Sequence, residues 1–318
     1  MRKSSHKISG NQLFERYNGN PILTARDWPY PANAVINPGA AVVNNETVLL
    51  VRVVDSSRSS HLTVARSSNG LSNWHIDTEP TLMPNESSRG EKFGLEDPRV
   101  VFLEEQKQFA VIYVSASESG PMVAMAITKN FRKFARLGSL LPPEDGDASL
   151  FPRRFNGRFA LIHRPIVGGT ADIWISYSPD LKHWGDHRPL IITRPNSWDS
   201  HRVGLACQPI ESREGWLLFY HGMSNTPEGA IYRVGIALLD LQSPWRVLRR
   251  SEDWLLEPCE LYERVGDIGG VVFPTGATVD KKSNKINLYY GTADRSVAVA
   301  TANFDDIVDY VASCAETE

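Results

Sequence analysis

Cysteine is scarce: Cys207, Cys259 and Cys314 are the only three in 318 residues, with no CxxC or Cys/His spacing. Neither a disulfide framework nor a zinc site is expected, and no metal is assigned. No run of about 18 apolar residues occurs, and the opening MRKSSHKISGNQLFERYNGN is polar without the apolar core of a signal peptide, so a cytoplasmic, soluble protein is expected. An excess of one charge is also missing. With 34 basic and 37 acidic residues the net charge is −3, which predicts neither a nucleic-acid nor a membrane partner and requires any anion to be held by a local site. Finally, almost no stretch sustains the 3.6-residue spacing of a helix.

What is present is an all-β pattern of short alternating runs rich in Val, Ile, Phe, Tyr and Thr. The runs repeat as a set: a strand, a polar turn, a second strand, a longer loop, and a third strand ending near an aromatic. The first set is 37–43, 48–54 and 61–67, before Trp74, and the second is 97–103, 109–116 and 121–128, before Phe131 and Phe134. The third is 149–155, 159–165 and 172–178, before Trp184, and the fourth is 204–210, 216–222 and 232–239, before Trp245. The fifth is 271–279, 286–293 and 296–302, before Phe304. Five antiparallel meanders in series predict a five-bladed β-propeller, because a lone blade cannot bury both faces of its sheet. A β-sandwich would also alternate, but fivefold order is foreign to it. All-β folds of this length often stay in one unit, so a single domain over 1–318 is expected, with 1–30 closing the ring and 304–318 as a tail.

In a blade the start of the first strand and the loop from second to third strand share one face. Asn37 and Asp97 stand at first-strand starts, while Asp55, Arg164, His221 and Asp294 stand at second-strand ends. Acids and bases therefore collect at one mouth. Each has a plainer reading: Asp97 before Pro98 is a common turn former, and a lone His221 in an apolar strand is usually a satisfied core residue. Arg164 and His221 at equivalent places of adjacent modules instead suggest a shared anionic ligand, for which the planar Arg fork suits carboxylate or phosphate. His183 and His187 are four apart but flank a Gly after the turn residues SPDLK, which argues against a helical metal pair.

The segments ERYNGNPIL, PANAVINPGAAVV, GLEDPRVV, LFPRRFNGRFALIHRP, SPDLKHWG, GWLLFYHG, VVFPTGA and LYYGTAD, in this order from about residue 14 to 303, resemble glycoside hydrolase family 130, the β-mannoside phosphorylases and related mannosidases. The resemblance implies a five-bladed propeller and places the proton donor on Asp97. It implies phosphate contacts at Arg164, Arg202, His221 and Tyr232, and a mannosyl ring among Asn37, Arg52, Asp55 and Asp294. Two departures concern the leaving sugar: Gly146-Asp147 stands where some relatives have Arg-Asn, and Arg202 stands where they have Lys. The PANAVINPGA opening resembles members acting on β-1,2-linked mannose.

An inverting hydrolase needs two carboxyl groups, one as acid and one to deprotonate water. A phosphorylase needs only the acid, since phosphate is already an anionic nucleophile that cations can hold beneath the anomeric carbon. The expected reaction joins a β-mannoside oligosaccharide and inorganic phosphate to give α-mannose 1-phosphate, with no cofactor. Three alternatives stay open: a β-mannosidase without the cationic cluster, a GDP-mannose-dependent mannosyltransferase, and a propeller that only binds glycans. A homo-oligomer is compatible with the sequence.

Overall fold

A computed structural model describes residues 10–85, 87–227 and 229–317. The first nine residues of the expected N-terminal closure and the last of the expected tail lie outside these. Five antiparallel meanders follow one another around an axis, as the sequence predicts. Blade 1 contains Ala34–Val43, Glu46–Val54, Ser60–Ser67 and His75–Ile76; blade 2 contains Gly94–Leu103, Gln108–Ser117, Gly120–Thr128 and Phe134–Ser139. Blade 3 contains Asp145–Leu150, Phe159–Val167, Ile173–Ser178 and Gly185–Ile191. Blade 4 contains Arg202–Leu205, Trp216–Thr226, Gly229–Leu239 and Val247–Arg250; blade 5 contains Val272–Asp280, Lys285–Thr292 and Ser296–Asn303. The fourth strand of blade 5 is Glu15–Arg16, paired antiparallel to Ser296–Asn303 across the length of the chain.

Alternation along each second strand explains the ring. In Glu46–Val54, Leu49, Val51 and Val53 pack toward Tyr289, Val297 and Val299 of blade 5, while Val48 and Leu50 pack toward Val100, Val111 and Tyr113 of blade 2. Blade 4 does the same: Leu217 and Phe219 face blade 5, and Trp216, Leu218 and Tyr220 face blade 3. Both faces of a blade are thus buried against neighbours. Apolar clusters fill the seams between blades 1 and 2, 2 and 3, 3 and 4, 4 and 5, and 5 and 1, which makes the structure a five-bladed β-propeller.

The outer fourth strands are absent from the sequence reading. FARLGS and GDHRPLI are largely exposed and VLRR is half-buried, and their apolar and polar residues follow no period-2 alternation that would mark a strand. The run 204–210 reads as one strand but pairs as Arg202–Leu205 and Ile210–Glu211, because the chain around Pro209 leaves the ladder between them. The C-terminal segment folds as a helix, Phe304–Ser313, capped by the Asn303 side chain and burying Ile307, Val308 and Val311 against the blade 4–5 seam. No helix among the described residues is long and apolar enough to cross a membrane.

Candidate active site

A β-bulge interrupts the first strand of blades 1, 2, 3 and 5, where register shifts between Ile36 and Gly39, Glu96 and Arg99, Gly146 and Ser149, and Pro274 and Gly276. The extra residue re-aims one side chain off the sheet. In blades 1 to 3 that residue is Asn37, Asp97 or Asp147, with φ of 47°, 49° and 46°. Asn and Asp tolerate this left-handed conformation best among non-glycine residues, yet it still strains the chain, which marks the position as a candidate for function. Opposite the residue before the bulge, Ile36 pairs with Arg52 and Gly146 with Arg164, and Gly204 of blade 4 pairs with His221. In blades 1 and 3 the bulge residue, Asn37 or Asp147, thus sits beside a basic residue on the neighbouring strand, and blade 4 adds His221.

Around Asp97, Oδ1 accepts hydrogen bonds from Asn37 Nδ2 at 2.8 Å and Arg52 Nη1 at 3.0 Å. Arg52 divides its fork, giving Nη2 to Glu96 Oε1 at 2.6 Å. Burial works against the Arg52 charge, but the opposing Asp97 and Glu96 carboxylates override it and hold Arg52 cationic. Asp294, at φ 53°, completes the group; burial and the nearby Asp97 push its carboxyl above the usual range, and Glu96 is raised by burial in the same way. Gly291 leaves room for Asn37, since a Cβ there would overlap Asn37 Oδ1.

A second group centres on Asp147. Its Oδ2 accepts from Arg164 Nε at 2.5 Å and lies 3.5 Å from His221 Nε2, while Oδ1 accepts from Arg99 Nη2 at 3.3 Å. Burial alone would favour the neutral acid, but Arg164, His221 and Arg99 hold Asp147 well below the usual carboxylate range. His221 is fully buried, its ring 4.4 Å from that of Phe273 and 5.9 Å from that of Tyr232. Burial, with help from the Arg164, Arg99 and Arg202 charges, lowers its pKa to about 3 despite Asp147. Arg202 opens the inner strand of blade 4, and its side chain makes no hydrogen bond or ion pair with the described residues.

The structure thus gathers Asn37, Arg52, Asp97 and Asp294 into one group, and Arg164 and His221 into another bordered by Tyr232 and Arg202. Asp55 stands apart. Its Oδ1 accepts from Ser57 N, Ser57 Oγ and Ser59 N at 2.8, 2.6 and 3.1 Å, so it builds the turn after the second strand of blade 1. Burial opposes ionisation there, and the Ser57 and Ser59 hydrogen bonds outweigh it, lowering the pKa. His183 pairs with Asp180 and His187 with Ser176, so the two do not converge. Sequence reasoning missed Glu96, Arg99 and Asp147 as site residues. The signal for Asp147 was available, because DGDASL carries its acid where GLEDPR carries Asp97, but only the shared bulge shows the positions to be equivalent.

A model of the β-1,4-mannooligosaccharide phosphorylase family, glycoside hydrolase family 130, matches residues 4–313. The chain belongs to glycoside hydrolase family 130. This family-130 chain is 34% identical over 309 residues to a β-1,4-mannooligosaccharide phosphorylase of Ruminococcus albus, spanning 94% of the chain and 90% of the relative. It is 39% identical over 251 residues to a β-1,2-mannobiose phosphorylase of Listeria innocua, spanning 78% and 68% respectively. Among solved structures, the Listeria innocua β-1,2-mannobiose phosphorylase in complex with β-1,2-mannobiose superimposes with a TM-score of 0.86 at 32% identity, over 94% of this chain and 99% of that one. The family expected from the motifs is the family found.

Proposed function

We propose that this family-130 protein is an inverting β-mannoside phosphorylase, with Asp97 as the acid and Arg164, Arg202, His221 and Tyr232 receiving phosphate. The observation that carries the reading is the state of Asp147. A hydrolase needs a carboxylate able to take a proton from water on the face opposite the acid. Asp147 is the carboxylate nearest the cationic group, and it is buried and tied to Arg99 and Arg164 with His221 beside it, so it is a poor base. What this face offers is positive charge, which suits an anionic nucleophile.

In the proposed reaction Asp97 gives a proton to the glycosidic oxygen, directly or through a sugar hydroxyl. A phosphate oxygen attacks the anomeric carbon from the opposite face, the bond to the leaving sugar breaks, and the β-mannoside yields α-mannose 1-phosphate. Asp97 Oδ1 is engaged by Asn37 and Arg52, which leaves Oδ2 to carry the proton. Asn37, Arg52 and Asp294 would hold the mannosyl ring, and Asp55, whose Oδ1 is taken up by its own turn, would join them only through Oδ2. The relatives acting on β-1,2-linked mannose support a β-1,2-mannobiose or β-1,2-oligomannan substrate.

The test is to incubate the protein with β-1,2-mannobiose and, separately, β-1,4-mannobiose, with and without inorganic phosphate. Mannose 1-phosphate formed only with phosphate, and faster from the β-1,2 disaccharide, is the expected result. Free mannose released equally fast without phosphate would make the protein a mannosidase.

A further inference from the structure

A carboxylate at the heart of a site that has to receive a dianion looks misplaced. Asp147 should repel phosphate, and a buried charge is costly unless it is paired. Its contacts resolve the contradiction. Arg164 spends only Nε on Asp147, at 2.5 Å, and neither Nη atom has a partner among the described residues. A guanidinium held by its inner nitrogen keeps its outer edge open to a second anion, in one orientation and with little side-chain entropy left to lose.

The same carboxylate acts on His221. Asp147 is ionised and Oδ2 lies 3.5 Å from one ring nitrogen, so the proton belongs there, where a lone pair would meet a negative oxygen; at that distance it makes no hydrogen bond to Asp147 and is the one N–H the neutral ring can offer phosphate. That nitrogen is Nε2. Nδ1 is buried and has no partner. The chain makes space for this contact with Gly204, where a Cβ would come within 2.5 Å of His221 Cε1 and Nε2 and closer still to Asp147 Oδ2. The third contact, to Arg99, ties Asp147 to a side chain held rigidly by the carbonyls of Ala206 and Leu205, both at 2.7 Å.

We propose that Asp147 is the positioning residue of the phosphate site, orienting Arg164 through Nε and holding His221 in the Nε2–H tautomer. This rests on the phosphorylase reading above. It adds a residue that is neither acid nor ligand to phosphate, and that works through two residues which are.

Asp147→Asn in the full chain preserves size while removing the charge. It should raise the KM for phosphate about 10–100-fold, the usual cost of losing an outer partner that orients a ligating group, and leave the KM for mannoside within about 2-fold. In an Arg164→Ala background the same substitution should add far less than this factor, because part of its effect passes through Arg164. Nitrogen-15 NMR of histidine-labelled protein, with His221 assigned by its loss in His221→Gln, should show the Nε2–H tautomer in the wild type and a mixture in Asp147→Asn. An unchanged phosphate KM in folded Asp147→Asn, a full effect in the Arg164→Ala background, or an Nδ1–H tautomer in the wild type would overturn the proposal. If Asp147→Asn fails to fold, the wild-type spectrum still decides the tautomer. Absence of any phosphate dependence in the wild type would defeat the phosphorylase reading, whereas the tautomer is measured without turnover.

Discussion

Arg99 Nη1 donates a hydrogen bond to the main-chain carbonyl of Asp97 at 3.0 Å. The same guanidinium donates from Nη2 to Asp147, so one buried side chain joins the backbone of the proposed acid to the Asp147 carboxylate beside Arg164 and His221. The two groups of the site are therefore joined through one rigid side chain, which would suit the proposed reaction, where reacting atoms have to lie about 3 Å apart.

Asp97→Asn should keep the fold and lose about 10²–10⁴-fold in kcat, because the amide cannot supply the proton. Circular dichroism and thermal melting check the fold, and mannose 1-phosphate release checks the rate. Near-normal turnover by the folded variant would move the acid elsewhere, with Asp294 the next candidate.

Arg164→Ala or His221→Ala should raise the phosphate requirement and slow the reaction by about 10²-fold, by analogy with the loss of one preorganised donor. Free mannose should not replace the lost mannose 1-phosphate, since Asp147 keeps its tie to the buried Arg99 in both variants. Product analysis at saturating mannoside reads both outcomes, and vigorous hydrolysis by either variant would contradict the assignment.

Gly291→Ala and Gly204→Ala should separate the two halves. The first methyl strikes Asn37 and should weaken mannoside binding, whereas the second strikes Asp147 and His221 and should weaken phosphate binding. Measured KM values for the two substrates check the split, and identical losses of both in each variant would show the halves to be inseparable.

Stability should fall on acidification from about pH 6.5 toward pH 4. The folded pKa of His221, about 3, lies below its unfolded value, so the unfolded chain binds the extra proton in this window. Its share should approach about 1.4 kcal/mol per pH unit and should vanish in a folded His221→Gln variant. Denaturant melts of both proteins at several pH values test this, and equal slopes would refute it.

Arg16→Met should destabilise the closure. Arg16 Nε and Nη2 donate to Glu263 at 2.8 and 3.0 Å, and the Glu263 side chain is completely buried, so removing the cation leaves a buried charge held by the Tyr290 hydroxyl and the Cys259 and Glu260 amides without its counterion, at a cost of up to about 3–5 kcal/mol. A melting temperature lowered by several degrees is expected; an unchanged one would show the pair to be dispensable.

The sequence by itself determined the blades. Second strands such as VLLVRVV and WLLFYHG bury both faces, and five such runs at regular intervals leave a ring as the arrangement that covers every sheet. It also brought Asp97, Arg164 and His221 to one mouth by their places at the strand ends of successive modules, while the acid role of Asp97 came from the family resemblance. Tertiary structure alone decided the rest. The outer strands are legible only from their neighbours' hydrogen bonds, since exposed edges impose no apolar pattern. Asp55 went to its own turn because serine hydroxyl and amide groups two and four residues away satisfy its carboxylate first. Asp147 joined Arg164 and His221 because a bulge turns it toward them, and a bulge is a register shift between two strands: it exists in the pairing, which no single strand's sequence contains.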